Sequence, residues 1–111
     1  MATIPKPIYG NAGNGSATTL YTVAAGETAI VETVSAYNST AGALTLTITI
    51  TEEDGTTSTV AVASISAGAT AQFAKGSSTP AFPQALLAGA KLNFQGSGSG
   101  ISIRASALRY T

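Results

Sequence analysis

Histidine, cysteine and tryptophan are all absent from the 111-residue sequence. The lack of cysteine excludes disulfides and thiol chemistry. The lack of histidine removes the residue that most often serves as a general base and as a transition-metal ligand. No recognisable motif positions a base beside the abundant serines and threonines, and no GxSxG motif is present. We therefore expect that the chain is not an enzyme, that it has no catalytic residues, and that it uses neither a cofactor nor a metal.

Charged residues are scarce as well. They make up 9% of the sequence, and five basic residues balance five acidic ones, whereas an ordinary soluble domain is about 25% charged. A net charge of zero removes the electrostatic attraction on which binding to nucleic acid and to anionic membranes depends. We expect no nucleic-acid partner and no membrane partner, and a surface made mostly of Ser, Thr, Gly, Ala and Asn.

Long hydrophobic runs are also missing. No stretch approaches the roughly 20 apolar residues that span a bilayer. The opening MATIPKPIYGNAGNGS lacks the apolar segment and the cleavage pattern of a secretory signal. We expect the chain to remain in the compartment where it is made.

The clearest pattern present is LTLTITIT (44–51), in which leucine or isoleucine alternates with threonine without a break. Successive side chains of a strand point to opposite faces, so this segment predicts an antiparallel strand with one buried face and one threonine face. Further β-type segments are TTLYTV (18–23), AIVETVSAY (29–37), STVAVASI (58–65), ATAQFA (69–74), KLNFQ (91–95) and ISIRASALRY (101–110). The one helical candidate is PQALLAG (83–89), one or two turns long. About seven to eight short strands predict an all-β fold, an antiparallel β-sandwich or jelly roll.

The first 16 residues differ in composition from the rest. Pro5, Pro7 and several glycines and asparagines resist helix and favour extended or irregular backbone. We therefore predict an extended N-terminal arm at 1–16 and a single β-sandwich domain at 17–111.

Turn signals recur between the strand segments. Asp54-Gly55 predicts a tight hairpin after the threonine-rich strand, and GSGSG (96–100) predicts the tip of a final hairpin. A weak repeat appears as VAAGET (23–28), ISAGAT (65–70) and LLAGAK (86–91). We interpret its glycines as corners at which the chain crosses between strands or sheets.

Two further groups have a possible binding role. Glu52, Glu53 and Asp54 are of the type that Ca²⁺ prefers, but three consecutive residues do not converge on one ion by themselves, so we favour a solvated hairpin tip. The four tyrosines and three phenylalanines would form a carbohydrate-stacking platform if several were exposed together. We favour phenylalanines in the core and tyrosines around its edge.

A surface with so little charge offers little repulsion between neighbouring copies. Small neutral side chains lose little rotamer entropy on ordering and carry no charge to desolvate, and they hydrogen-bond directly or through water. We therefore hypothesise that the polar faces are covered in a stable assembly and that the function is architectural.

Three segments also carry a family resemblance: residues 21–50, ISAGATAQFA (65–74) and residues 86–110. Their order gives an Ala-Gly corner, a strand ending in Tyr37-Asn38, an alternating strand, a second Ala-Gly corner and a closing hairpin. This order resembles that of small β-sandwich virion proteins of tailed bacteriophages, and the resemblance covers residues 20–110.

The resemblance implies a capsid decoration or cement protein, made in the host cytoplasm and placed on the outer surface of the virion capsid. Such a protein stabilises the capsid by bridging subunits of the major capsid protein, here as a homo-oligomer, a dimer or a trimer. The candidate partner-binding residues are Ile4, Pro5, Pro7, Ile8, Tyr9, Pro80, Phe82 and Pro83. The alternative is a tail, head-fibre or receptor-binding component of the virion, which would bind glycans or a host surface through exposed tyrosines.

Overall fold

The chain folds into two β-sheets that share one hydrophobic core. The computed structural model describes residues 3–77 and 81–111, and over these residues it contains ten strands and no helix. Sheet A consists of β1 (Thr3–Asn11), β4 (Thr28–Asn38), β7 (Thr70–Phe73), β8 (Gln84–Leu86) and β10 (Ile101–Tyr110). Sheet B consists of β2 (Gly13–Asn14), β3 (Thr18–Thr22), β5 (Leu44–Thr51), β6 (Thr57–Ile65) and β9 (Lys91–Gly96).

The strand order is that of a jelly roll. Sheet A runs β1-β10-β4-β7, with β8 also on β4, and sheet B runs β2-β9-β5-β6, with β3 also on β9. All of these ladders are antiparallel except the short β2–β9 pair. Among the described strands, only β5 and β6 pair with each other as direct neighbours in sequence. The predicted antiparallel β-sandwich or jelly roll is confirmed.

The final hairpin predicted around GSGSG does not form. β9 lies in sheet B between β5 and the short β2 and β3, whereas β10 lies in sheet A between β1 and β4. Both edges of each strand are therefore already occupied, and the segment 97–100 carries the chain from one sheet to the other. The hairpin predicted at Asp54-Gly55 is present, and the amide of Gly55 donates to the carbonyl oxygen of Glu52 at 2.9 Å.

The core is filled by the apolar side chains that alternate with polar ones along the strands. Leu46, Ile48 and Ile50 of β5 are buried, as their alternation with threonine predicts. All three phenylalanines are buried with them, which confirms their expected place in the core. The tyrosines divide, because Tyr21 is buried while Tyr9 and Tyr37 are exposed.

A β-bulge in β4 explains a pattern that simple alternation does not fit. The β4–β10 register shifts so that Val31 faces Ala107 and Thr33 faces Ser106, which leaves Glu32 as the extra residue. On one side of the bulge the buried residues have odd numbers, and on the other side, from Val34 onward, they have even numbers. The bulge thus keeps both halves of β4 facing the core and leaves the Glu32 side chain exposed.

The repeated Ala-Gly segments form corners between the sheets, as predicted. In each corner the residue after the glycine donates its amide to the carbonyl two positions before the glycine, at 3.0 to 3.1 Å. Gly26, Gly68 and Gly89 have φ angles of +80°, +67° and +86°, the left-handed value required at the third position of a type II turn. These corners join β3 to β4, β6 to β7 and β8 to β9, and each connection changes sheet.

Two sequence predictions are corrected at the two borders of sheet A. The segment predicted as an arm is extended, but residues 3–11 form strand β1 and pair with β10 along their whole length. They therefore belong to the sandwich and do not stand apart from a domain at 17–111. The predicted helix PQALLAG is also wrong, because Gln84–Leu86 forms strand β8 against β4. In both cases pairing with a neighbouring strand, which the local composition does not reveal, decides the structure of the segment.

Candidate functional site

The predicted partner-binding residues of the N-terminal segment lie on both faces of β1. Pro5, Pro7 and Tyr9 are exposed on the outer face of sheet A, and Ile4 is exposed near the start of the strand. Ile8 has the opposite orientation and is buried in the core. Its assignment as a partner contact is therefore wrong, since a strand that packs one face on the core presents only the other face to a partner.

The second group of predicted contacts, Pro80, Phe82 and Pro83, also includes both a buried and an exposed residue. Phe82 is buried in the core, so its assignment as a partner contact is wrong. Pro83 is exposed, and Pro80 lies outside the described residues. Pro83 directly precedes β8, whereas β1 lies at the opposite edge of sheet A with β10 and β4 between them. The structure therefore does not unite the two groups in one patch.

The outer face of sheet B is almost free of charge, and we call it the threonine face. Its outward-pointing residues are Thr19, Thr22, Thr45, Thr47, Thr49, Thr51, Thr57, Thr59, Val62, Ser64, Lys91, Asn93 and Gln95. Lys91 is the single charged residue of this set. The face spans β3, β9, β5 and β6 and lies opposite the face that packs on the core.

Hydrogen bonds join the threonine face across four strands. Thr19 Oγ1 donates to Asn93 Oδ1 at 2.7 Å, and Asn93 Nδ2 donates to the hydroxyl oxygens of Thr49 and Thr51 at 3.2 and 3.0 Å. The Thr51 hydroxyl lies 2.9 Å from that of Thr57. Asn93 is buried among these neighbours although it lies on the outer face. Because these five side chains hydrogen-bond to one another, covering them with protein costs little desolvation.

The edge of sheet B formed by β6 is less protected than the edges of sheet A. β7 and β8 are short, and β1 carries prolines at alternate positions, which an edge strand tolerates and which hinder pairing. β6 is nine residues long, TSTVAVASI, and contains neither proline nor charge. A bulge at Val60 interrupts its ladder with β5, so Ala61–Ile65 is the regular stretch. Within this stretch Val62 is 59% exposed.

The acidic hairpin tip joins β5 to β6. Glu52, Glu53 and Asp54 are all exposed. Asp54 Oδ1 accepts a 2.9 Å hydrogen bond from the Thr56 amide, and this bond holds the pKa of the Asp54 carboxyl below its ordinary value. Within residues 3–77 and 81–111, no three potential metal ligands come together. The three carboxylates thus lie along a solvent-exposed turn.

A buried tyrosine and a half-buried ion pair lie near one another where β3 and β10 end. Arg109 and Glu27 form an ion pair with a nitrogen–oxygen distance of 3.8 Å, the one ion pair among the described residues. The hydroxyl of Tyr21 is buried and has no hydrogen-bond partner in the described part of the chain. Burial raises the pKa of Tyr21, Glu27 adds to the increase, and Arg109 opposes it.

A shallow cleft lies on the outer face of sheet A, on the opposite side of the sandwich from the threonine face. It has a volume of about 420 Å³, and its lining includes Tyr9, Tyr37 and Arg104. Tyr9 is 69% exposed and Tyr37 is 44% exposed, and the Arg104 guanidinium carbon lies 5.8 Å from the centroid of the Tyr9 ring. Tyr9 was among the residues predicted to bind a partner. Tyr37 and Arg104 join it only through strand pairing, which the local sequence does not reveal.

Comparison with known proteins identifies the fold. No protein-family model and no curated protein matches the sequence. A solved structure of Bacillus endospore appendages, a family of disulfide-linked pili, aligns with a TM-score of 0.57 and 15% identity over 99% of this chain and 87% of that chain. The T13 particle of the virus IBDV aligns with a TM-score of 0.56 and 18% identity. That alignment covers 96% of this chain but 30% of the viral chain.

These similarities establish a β-fold that also occurs in a pilus protein and in a viral particle protein. The chain has no cysteine, so a disulfide linkage like that of the pili is excluded. No helix in the described part of the chain meets the length and hydropathy needed to span a membrane.

Proposed function

We propose that the chain is a structural protein of a tailed-bacteriophage virion, where it decorates the capsid. In this role it binds the outer surface of the major capsid protein lattice as a homo-oligomer, a dimer or a trimer, and stabilises the particle by bridging neighbouring subunits. The role is non-enzymatic and needs no cofactor. The observation that carries the proposal is the threonine face, which is continuous with the unprotected edge of β6.

The chemistry of this surface suits permanent contact with protein. Threonine and serine side chains have few rotamers to lose, and a face with a single charged residue avoids most of the cost of desolvating ions. A free strand edge offers backbone N–H and C=O groups that add a strand from a neighbour. Many modest contacts of this kind, repeated over a lattice, add up through multivalency.

The proposed contact surface differs from the one that the sequence suggests. Ile8 and Phe82 are buried in the core and cannot contact a partner. The proposal places the main contact on the threonine face and on residues 61–65 of β6. Pro5 and Pro7 remain exposed on the other sheet, where they hinder pairing at the edge of β1.

Cosedimentation with phage heads that lack the protein tests this proposal, with light scattering to give the molar mass of the free protein. We expect saturable binding at a fixed ratio to the major capsid subunit. Val62→Lys places a charge beside the free edge and should weaken binding about tenfold or more. The control is Ile4→Lys, because Ile4 is also an exposed apolar residue, 38% against 59% for Val62, and lies in β1 at the edge of the other sheet. Unsaturable wild-type binding, or equal binding by Val62→Lys, would contradict the proposal.

A second candidate keeps the fold and places the chain in a tail, a head fibre or a receptor-binding component. The exposure of Tyr9 and Tyr37 on one face favours it, since exposed aromatic rings serve recognition. Immunogold labelling of intact virions separates the two locations. Labelling of the head supports decoration, and labelling confined to the tail supports the second candidate.

A further inference from the structure

The cleft on sheet A is assembled by strand register. In one row across the sheet, Tyr9 of β1 faces Arg104 of β10, which in turn faces Ser35 of β4. In the next row, Ser102 of β10 faces Tyr37 of β4. The two tyrosines therefore lie diagonally on either side of β10. Since adjacent strands are about 4.8 Å apart and alternate residues about 6.8 Å apart, their backbones frame a space large enough for a sugar ring.

The cleft is lined by apolar surface together with several neutral polar groups and one cation. Four hydroxyl or amide side chains line it together with the tyrosines, namely Asn11, Ser35, Thr70 and Ser102. The hydroxyl of Ser102 and the amide oxygen of Asn11 are 3.5 Å apart, a long contact that leaves both groups able to bind a ligand. Arg104 is the one charged residue in the lining.

Arg104 lacks a carboxylate partner within the described residues. The one ion pair there joins Arg109 to Glu27. The guanidinium of Arg104 instead lies against the Tyr9 ring at 5.8 Å, a cation–π arrangement that keeps it beside the cleft. A guanidinium in this position presents planar N–H donors that match a carboxylate.

We propose that this cleft binds a sugar ring that carries a carboxylate, as part of an acidic polysaccharide. The apolar face of the ring packs on a tyrosine, its hydroxyls bond to the neutral side chains, and its carboxylate pairs with Arg104. The volume of about 420 Å³ lies within the range of about 300–1,000 Å³ that is usual for ligand sites. The inference rests on the cleft alone and holds for either location in a virion.

Calorimetric titration of the full chain tests the inference with two probes of equal length, a glucuronic acid tetrasaccharide and a glucose tetrasaccharide. We expect the acidic probe to bind more tightly, and its affinity to fall as salt is added. Arg104→Gln should weaken the acidic probe about tenfold or more and leave the neutral probe unchanged. Tyr37→Ala should weaken both, because it removes a stacking surface.

The control is Leu87→Ala, an exposed site outside the cleft, which should bind both probes as the wild type does. A thermal melt of each variant confirms that it is folded. Absence of binding by the acidic probe, or unchanged binding in Arg104→Gln, overturns the inference. Tighter binding of an acidic tetrapeptide than of the acidic sugar also overturns it, because the cleft would then recognise peptide. Capsid binding through Val62 is measured separately, so failure of one proposal is distinguishable from failure of the other.

Discussion

Asn38 Nδ2 donates a 2.9 Å hydrogen bond to the carbonyl oxygen of Ile65, which links the end of β4 in sheet A to the end of β6 in sheet B. The same nitrogen donates to the Gly42 carbonyl at 2.8 Å, and Asn38 Oδ1 accepts from the amide and the hydroxyl of Thr40. Asn38 is completely buried, yet each of its side-chain atoms is satisfied. This one amide therefore holds the β4–β5 crossover to both sheets.

Replacing Asn38 by alanine should destabilise the fold. The change leaves the Ile65 and Gly42 carbonyls and the Thr40 amide without these partners, and we expect a loss of about 2–4 kcal/mol in the free energy of unfolding. Urea denaturation followed by circular dichroism measures it. Asn14→Ala, at an exposed site, is the control and should change stability by less than about 0.5 kcal/mol. Equal urea midpoints for Asn38→Ala and Asn14→Ala would show that the buried amide contributes no stability.

The hydrogen-bonded chain on the threonine face predicts energetic coupling between strands. In a double-mutant cycle, Thr19→Val and Asn93→Ala should couple by about 0.5–1.5 kcal/mol, because the two side chains bond directly at 2.7 Å. Thr19→Val and Thr45→Val share no hydrogen bond, so their effects should add within about 0.5 kcal/mol. Unfolding free energies of the single and double variants give both values. Additive behaviour of the first pair would show that the chain of bonds is energetically unimportant.

Tyr21 predicts a sensitivity to alkaline pH. Burial raises its pKa in the folded state above the ordinary value of about 10. At a pH between the pKa of the unfolded chain and that of the folded chain, the unfolded chain has released the phenolic proton and the folded chain still holds it. The free energy of unfolding is therefore unaffected by the titration of Tyr21 below about pH 10 and falls as pH rises further. Tyr21→Phe should lose less stability than the wild type between pH 9 and pH 11, as measured by thermal melts. An equal loss in both proteins would show that Tyr21 is not responsible.

At neutral pH the same Tyr21→Phe variant should be as stable as the wild type or more stable by about 1 kcal/mol. The buried hydroxyl has no partner among the described residues, and removing an unsatisfied polar group removes a desolvation cost. Urea denaturation at pH 7 measures this difference. A clear loss of stability at pH 7 would indicate that the hydroxyl is hydrogen-bonded in solution.

The N-terminal strand should be essential for the fold. Ile8→Ala should cost about 2–4 kcal/mol, because it removes a buried branched side chain from the core. Deletion of residues 1–9 should cost more, since β10 then loses most of its ladder with β1. Pro7→Ala, at an exposed position of the same strand, should be nearly neutral. Thermal melts compare the three. A deletion variant as stable as the wild type would contradict this prediction and would support the separate N-terminal arm that composition suggests.

The sequence predicted much of the fold because its signals are local. Alternation in residues 44–51 requires one buried face, and the Ala-Gly corners require backbone angles that glycine provides. The candidate contacts were predicted less well. Composition could not separate Pro5 and Tyr9, which are exposed, from Ile8 and Phe82, which point inward, since orientation depends on which strand each segment pairs with.

The sequence by itself determined that this protein is all-β, poor in charge and without histidine, cysteine or tryptophan. These properties follow from composition and from two-residue periodicity, which act within a few residues. Only the tertiary structure decided that β9 and β10 belong to different sheets, that Glu32 forms a bulge, and that Arg104 lies beside Tyr9. Each of these features depends on pairing between strands far apart in sequence, and such pairing is selected by the burial of the whole core rather than by any local segment.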